Sequence, residues 1–409
     1  MASCDQPGLM PLTEGIRKLL ATVSGQQRSE TVSLCAAANR VLAESVFAPA
    51  PVPGFDNSAM DGYAVRAADM ALGKTFTVQG RALAGAVFDQ RLKAGQVVRI
   101  MTGAALPRGA DTVIIQENSQ RDGDRVRFSE LASLGTNVRA AGGDIQQGSR
   151  VISANTRLNA VHLALLASVG CAAVNVYGKT TVGLISTGDE LTLPGETLAY
   201  GDIYNSNAPA LIQMLSNLNV DIIDYGIVQD DPELFRQAFG RADRECDFVL
   251  TSGGVSVGEA DYTRDILQEL GNIEFWKLAI KPGKPFAFGQ LPNSYFIGLP
   301  GNPVSALVTF HLLGSQAIRQ HQHLGYQPMA QLTAITSEPI HKTPGRMDFQ
   351  RGSWQSSAEG ISVAPTRSAQ GSNILTSLAH ANCYIALEQE RGSVKVGEAV
   401  TLWLFDDLY

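Results

Sequence analysis

Tyr295-Phe-Ile-Gly-Leu-Pro-Gly-Asn-Pro303 is an apolar run of strand length that breaks at Pro300-Gly301 and resumes at Pro303 as a helix reaching about residue 320. Proline at the first helical position, with Asn302 read as its N-cap, marks a strand–turn–helix unit. The same alternation runs backward from it. Thr181–Ser186 reads as a strand and 206–218 as a helix; Val220–Val228 is a strand, and Asp231-Pro232 opens a helix. Phe248–Thr251 is another strand, followed by a helix at 261–270. Strands alternating with helices imply a doubly wound, mostly parallel sheet with helices on both faces.

The pattern changes on either side of this α/β part. After about residue 327 the helical signal vanishes, and 331–336, 347–351, 361–364, 383–388 and 399–404 are strand-like, which predicts a C-terminal β-barrel or sandwich. Before it, 55–150 carries short β-like runs at 75–79, 97–101, 112–116 and 125–129, the pattern of a small β-rich domain. The Pro-Ala-Pro-Val-Pro-Gly run at 49–54 cannot continue a helix and marks a boundary. Leu12, Ile16, Leu19, Leu20 and Val23 predict one amphipathic helix over 12–23, a short strand is read around 31–34, and 159–169 predicts a helix that is apolar on nearly every side. The fold class expected is α/β plus β, in several domains.

Composition narrows the function. A chain of 409 residues exceeds what one core serves. Its net charge of −7, with both signs mixed, argues against extended nucleic-acid binding. Cys4, Cys35, Cys171, Cys246 and Cys383 form no C-x-x-C pair and read as reduced, mostly buried thiols. No basic-then-apolar leader opens the chain and no apolar stretch approaches the ~20 residues that span a bilayer, so a cytoplasmic protein is expected, without a membrane.

Three loops at expected strand ends concentrate the chemistry. Ile185-Ser-Thr-Gly-Asp-Glu190 offers Thr187, Gly188, Asp189 and Glu190; Thr251-Ser-Gly-Gly-Val-Ser-Val-Gly258 offers Ser252, Gly253, Gly254 and Ser256; Leu299-Pro-Gly-Asn-Pro303 offers Pro300, Gly301, Asn302 and Pro303. Ligands of such sheets bind at the carboxyl ends of the strands. Gly/Ser loops let backbone N–H groups converge on an anion, and the next helix N-terminus adds its dipole. Each loop alone reads equally as a tight turn; three together favour an anionic ligand. Asp189, Glu190, Asp230, Asp231, Glu259 and Asp261 accompany them. They suit Mg²⁺, a hard cation, while N-capping by Asp230 or Asp261 fits as well. Trp276-Lys-Leu-Ala-Ile-Lys-Pro-Gly-Lys284 is the densest cationic run, and extended chain would point Lys277 and Lys281 the same way, toward an anion or as edge-strand guards.

Other matches fail on context. Ala68–Thr75 and Ala173–Thr180 end in Gly-Lys-Thr but lack the first glycine of a phosphate loop and lead into strands. Gly254-Val-Ser-Val-Gly258 has the spacing of a nucleophile elbow without its sharp turn into a helix. His321 and His323 read as solvated surface, not metal ligands.

The run Pro53-Gly-Phe-Asp-Asn-Ser-Ala-Met-Asp-Gly-Tyr-Ala-Val65, with Ser252-Gly-Gly-Val-Ser-Val-Gly-Glu-Ala-Asp-Tyr262, resembles the bacterial MoeA family of molybdopterin molybdenumtransferases, whose eukaryotic relatives are gephyrin and plant fusion enzymes. Met101–Ala104, Ser186–Glu190, Lys281–Pro285, Gly298–Pro303 and Phe349–Gly352 match in the same order. The resemblance implies an elongated homodimer with four parts: residues 1–45 with 150–178, an inserted β-rich part at 46–149, an α/β molybdopterin-binding part at 179–326, and a β-barrel at 327–409. It implies that molybdate is inserted into adenylylated molybdopterin, with release of AMP, at a site shared between subunits. To that site it assigns Asp61, Thr102, Glu190, Asp230, Asp261, Lys277, Lys281, Arg351 and Ser372, supported by Asp144, Pro300 and Pro303. Lys284 and the loop residues above would contact substrate; Glu190, Asp230 and Asp261 would hold Mg²⁺; Lys277, Lys281 and Arg351 would face anions. Transient contact with the molybdopterin adenylyltransferase and with molybdoenzyme maturation factors is a further expectation. Asn205 and Ala208 depart from the family pattern, so the loop at 204–207 is left outside the expected site. The alternatives are a molybdopterin adenylyltransferase, which needs neither the insertion nor the barrel, and a non-enzymatic scaffold like gephyrin.

Overall fold

A computed structural model describes residues 8–254, 262–366 and 369–409. The chain forms two compact units, one from the described residues of Met1–Glu30 and Tyr177–Tyr409, the other from Thr31–Val176.

The first unit is built on a six-stranded sheet. Its strands lie in the order Asp221–Val228, Thr181–Thr187, Phe248–Ser252, Tyr295–Leu299, Pro285–Gln290 and Asn272–Lys277. The first four are parallel, as the alternating pattern requires. The last two form an antiparallel extension that the sequence reading did not separate out. The alternation of Pro285–Gln290 is hidden because Phe286, Ala287 and Phe288 are all buried, covered on both faces.

Side-chain alternation divides the core in two. Val182, Leu184, Phe248, Leu250, Ile297 and Leu299 pack under Asn207–Asn217 and the helix that begins at Pro303. Ile185, Val249 and Phe296 pack under Pro232–Glu245 and Tyr262–Leu270. The helix Leu12–Thr22 buries Leu12, Ile16 and Leu19 in the first of these cores. The resemblance groups residues 1–45 with 150–178; this helix packs with the α/β part because Trp276, Leu278 and Leu313 receive its apolar stripe, close enough that a Cβ at Gly15 would lie 3.4–3.6 Å from all three.

The helix expected from Pro303 to about 320 is interrupted. Pro303–Thr309 passes through a π-helical turn, Phe310–Gly314, into Ser315–His321. Asn302 stands at its N-cap without a side-chain capping bond. His321 and His323 are not solvated surface. His321 is buried and bonded to the Thr180 hydroxyl at 2.9 Å, while His323 stacks on Tyr177 with ring centroids 3.9 Å apart.

The carboxyl-terminal strands Gln331–Thr336, Met347–Ser357, Gly360–Pro365, Cys383–Leu387 and Ala399–Leu404 close into a barrel, because Met347–Ser357 pairs with both Gly360–Pro365 and Cys383–Leu387. Its filling includes Val363, Cys383, Ile385, Val400 and Leu402. Of the other described cysteines, Cys246 is buried but Cys35 is exposed and Cys171 half-buried, so burial is less general than expected.

In the second unit a six-stranded sheet runs Thr112–Ile115, Gly62–Val65, Gln96–Ile100, Thr75–Ala82, Arg125–Phe128 and Ser119–Asp122. Gly62 sits where strands crowd: a Cβ there would lie 1.9 Å from the Ile114 carbonyl oxygen. A separate small core gathers Ala37, Leu42, Ile152, Leu158, Leu166 and Val176. Its helix, Ala160–Ser168, is opened by a capping box between Asn159 and His162. The helix is apolar all round as expected, yet within the described chain it buries only Leu166, and Val161 is 72% exposed.

Phe239 is fully buried, stacked on Phe235 at 5.7 Å and edge-on to Phe296 at 5.9 Å. Phe239→Ala should lower stability by about 3–5 kcal/mol in urea unfolding followed by circular dichroism.

Candidate functional site

All four parallel strands of the first unit end at one edge, where the loops after Thr187, Val228, Ser252 and Leu299 emerge. Gly188 takes φ +140 and leads into Asp189 and Glu190, whose carboxylate occupies the space a Cβ at Gly188 would fill. Gly253 and Gly254 both adopt positive φ. A Cβ at Gly253 would lie 2.7 Å from the carbonyl oxygen and from Oγ1 of Thr187, so only glycine lets the two loops approach this closely. The Gly253 N–H donates to the Leu299 carbonyl at 3.0 Å, which locks the Gly/Ser loop to the Leu299–Pro303 turn. Gly188 and Asp189 also wall an open cleft of about 660 Å³, with Leu191, Gln229 and Arg241 among its other lining groups.

The sequence reading set aside the residue that joins these loops. Asn207, at the start of the helix Asn207–Asn217, is buried and donates through Nδ2 to Ser252 Oγ at 2.7 Å and to the Gly301 carbonyl at 2.8 Å. Asn207 Oδ1 and the nearby Thr251 Oγ1 are buried with no hydrogen-bond partner among the described residues. Asn205 donates to Ser186 Oγ at 2.9 Å and accepts from the Ala208 N–H, so the departure from the family pattern lies within this same junction. The usable signal was position: Tyr204-Asn-Ser-Asn207 immediately precedes a helix of the same sheet.

The acidic groups divide cleanly. Asp231 caps the helix Pro232–Glu245, accepting from the Glu233 and Leu234 N–H groups, which leaves the neighbouring Asp230 carboxylate free of that duty. The Asp230 N–H donates to Asp189 Oδ1 at 2.9 Å. Partial burial, then the charges of Asp189 and Glu190, push the Asp230 carboxyl above its ordinary pKa. Ser256 and Asp261 lie outside the described residues. No group of three His, Cys, Asp or Glu side chains forms a metal cluster among the described residues. Glu190 and Asp230 are nonetheless hard oxygen donors, the ligand type suited to Mg²⁺, which keeps several waters and takes further ligands from substrate phosphates.

The cationic run does not continue as one strand. Lys277 ends the edge strand and Lys281 ends the two-residue strand Ile280–Lys281, which pairs with Met347 and Asp348; both lysines are exposed, with Leu278, Ala279 and Ile280 buried between them. The expected simple alternation is therefore broken. Lys281 Nζ lies 3.5 Å from Oδ2 of the buried Asp348. Gly283, at φ +100, presses the turn from Lys281 to the exposed Lys284 against the first turns of the helix at Pro303, where a Cβ would strike the Thr309 methyl at 2.3 Å.

Arg351 differs most from its expected role. It is fully buried, on the face of its strand shared with Phe349 and Tyr384, and donates to Ser377 Oγ, the Phe349 carbonyl and the Gly371 carbonyl at 3.0, 3.3 and 3.2 Å. Burial pulls its pKa down. Its guanidinium serves the loop around Gly371 and does not stand open to an anion. Ser372 in that loop is half-buried, and its carbonyl accepts from the Val304 N–H at 3.0 Å.

In the second unit, Asp61 and Thr102 meet although 41 positions separate them: Asp61 Oδ1 accepts from the Thr102 N–H at 2.8 Å and from its hydroxyl at 2.7 Å. These two bonds, with Arg99 as a lesser influence, hold the Asp61 carboxyl below its ordinary pKa. Asp144 is exposed in a turn whose N–H donates to the Val52 carbonyl.

Three family models match the chain: the MoeA N-terminal region (domain I and II) over residues 10–170, a probable molybdopterin binding domain over 183–320, and the MoeA C-terminal region (domain IV) over 333–405. A molybdopterin molybdenumtransferase of Haemophilus influenzae is 43% identical over 98% of this chain and 100% of its own length. The chain belongs to the MoeA family. Another relative of the same name, from Nostoc, is 36% identical over 79% of this chain and 77% of its own. A solved MoeA structure from Pyrococcus horikoshii superposes with a TM-score of 0.84 at 29% identity, covering 97% of this chain and 100% of that one. MoeA membership accords with the resemblance read from the motifs, and Asn207 lies within the stretch matched by the probable molybdopterin binding domain.

The raised pKa of Asp230 has a consequence for stability. An acid whose pKa rises on folding opposes folding once ionised; the penalty is absent below the ordinary carboxylate pKa and full above the raised one. Asp189→Asn removes one of the charges responsible. It should raise Tm at pH 7, leave it unchanged near pH ~3 where carboxyls are protonated, and lower the Asp230 pKa in a carboxyl NMR titration.

Proposed function

We propose that this chain is a molybdopterin molybdenumtransferase that takes adenylylated molybdopterin and molybdate and yields molybdenum cofactor and AMP. The observation that carries the reading is the Asn207 junction, which draws the Gly/Ser loop and the Leu299–Pro303 turn together at the strand ends of the molybdopterin binding domain. N–H groups of such loops suit the phosphate of the pterin. Lys281 and Lys284 provide positive charge for a dianion, and Asp348 restrains Lys281. Catalysis would then come chiefly from positioning and electrostatics. Mg²⁺, when bound, would neutralise charge on the phosphoanhydride; Glu190, Asp230 and Asp261 are the residues to hold it, beside the oxygens of Asp189.

A homodimer is part of this proposal, with Asp61 and Thr102 of one subunit completing the site of the other. The apolar Ala160–Ser168 helix, exposed over Val161, supports burial against a second copy. Mixing Asp61→Ala with Lys281→Ala should give activity well above that of either variant alone; absence of complementation would confine the site to one chain. We place the enzyme in the cytoplasm, in transient contact with the adenylyltransferase that makes its substrate and with factors that mature molybdoenzymes. No helix among the described residues is long and apolar enough to cross a membrane.

The direct test is AMP release from purified adenylylated molybdopterin. Release should depend on molybdate, stop in EDTA and resume with Mg²⁺. Lys281→Ala should slow it by about 10²-fold. Unchanged release in Lys281→Ala would remove that lysine from the mechanism, and formation of the adenylate from ATP and free molybdopterin would point instead to an adenylyltransferase.

A further inference from the structure

Past the last pair of the strand Gly360–Pro365, the Thr366 N–H still donates to the Arg351 carbonyl at 2.9 Å, and the carboxamide of Gln370 then engages the same main chain. Gln370 Oε1 accepts from the Arg351 N–H at 2.8 Å, and Gln370 Nε2 donates to the Arg351 carbonyl at 3.1 Å and to Thr366 Oγ1 at 3.2 Å. A carboxamide carries the same donor and acceptor pair as a peptide group, so it can replace a strand residue without replacing the strand. The side chain of Arg351 closes the arrangement from beneath by donating to the Gly371 carbonyl. One residue further on, the Ser372 carbonyl receives the Val304 N–H at the start of the helix beside Gly301 and Asn302. The loop is thus held on one side by the barrel and on the other by the helix whose N-terminus borders the candidate site.

We propose that Gln370 is a positioning residue for the reaction, acting through Ser372. Its carboxamide, clipped to the Arg351 main chain, fixes the loop that presents Ser372 beside the Leu299–Pro303 turn. Arg351 belongs to the same clip and contributes by holding Gly371. This rests on the functional reading above, because Ser372 matters to turnover only if that site carries the reaction.

The test is a double-mutant cycle with a separate structural readout. Gln370→Ala and Ser372→Ala should each lower kcat/KM for molybdate-dependent AMP release by about tenfold, and the double variant should fall no further than the worse single one. Gln370→Met, similar in size but without the carboxamide, should behave as Gln370→Ala. Independent, multiplicative losses, or full activity in Gln370→Ala, would overturn the proposal. Amide hydrogen exchange on the ligand-free chain tests the clip even if the functional reading fails. In Gln370→Ala the amides of Arg351 and Val304 should exchange faster while those of Phe248–Ser252 are unchanged; unchanged protection at Val304 would equally overturn it.

Discussion

Parallel pairing of four strands is the constraint on which the candidate site depends. Because Asp221–Val228, Thr181–Thr187, Phe248–Ser252 and Tyr295–Leu299 all run one way, their carboxyl ends deliver four loops to one edge. Such pairing buries both faces, and here two separate apolar cores supply the cover. Polar groups at that edge must then be satisfied locally or by a ligand. Asn207 meets part of that need by bonding Ser252 and Gly301 together, while its own Oδ1 and Thr251 Oγ1 find no partner among the described residues. Free polar capacity at a rigid, glycine-lined edge is what an anionic, flat substrate can use.

Much of this was legible in the sequence, and the reasons are physical. Strand–helix alternation over 181–320 reports burial on two faces, and the strands it placed are present with shifts of one or two residues at their ends. The barrel strands read as strand-like segments once the helical signal ends after about residue 327. The glycine loops were visible because positive φ at Gly253 and Gly254 demands glycine. Pro285–Gln290 of the antiparallel pair was harder, since a strand covered on both faces loses its alternation. His321 read as surface because its neighbours are polar, but it is buried against Phe248 and Tyr295 and bonded to Thr180, all far away in sequence.

Site residues separate along the same line. Residue type and local spacing pointed to Gly188, Asp189, Gly253 and Gly301, whereas nothing local joins Asp61 to Thr102; only the family motif did so, and the structure shows the two bonds that link them. Arg351 illustrates the reverse. A motif can place an arginine near a site, but not tell whether its guanidinium faces ligand or, as here, is spent on Ser377, Phe349 and Gly371. Asn207 and Gln370 were missed because a carboxamide acquires its meaning from what it bridges.

The most direct test of the account is a crystal structure of the full-length protein with adenylylated molybdopterin bound. Its pterin phosphate should lie within hydrogen-bond reach of the backbone N–H groups at Gly253, Gly254 or Gly301, with Asn207 still bridging Ser252 and Gly301. A substrate bound with its phosphate away from these strand ends would contradict the account.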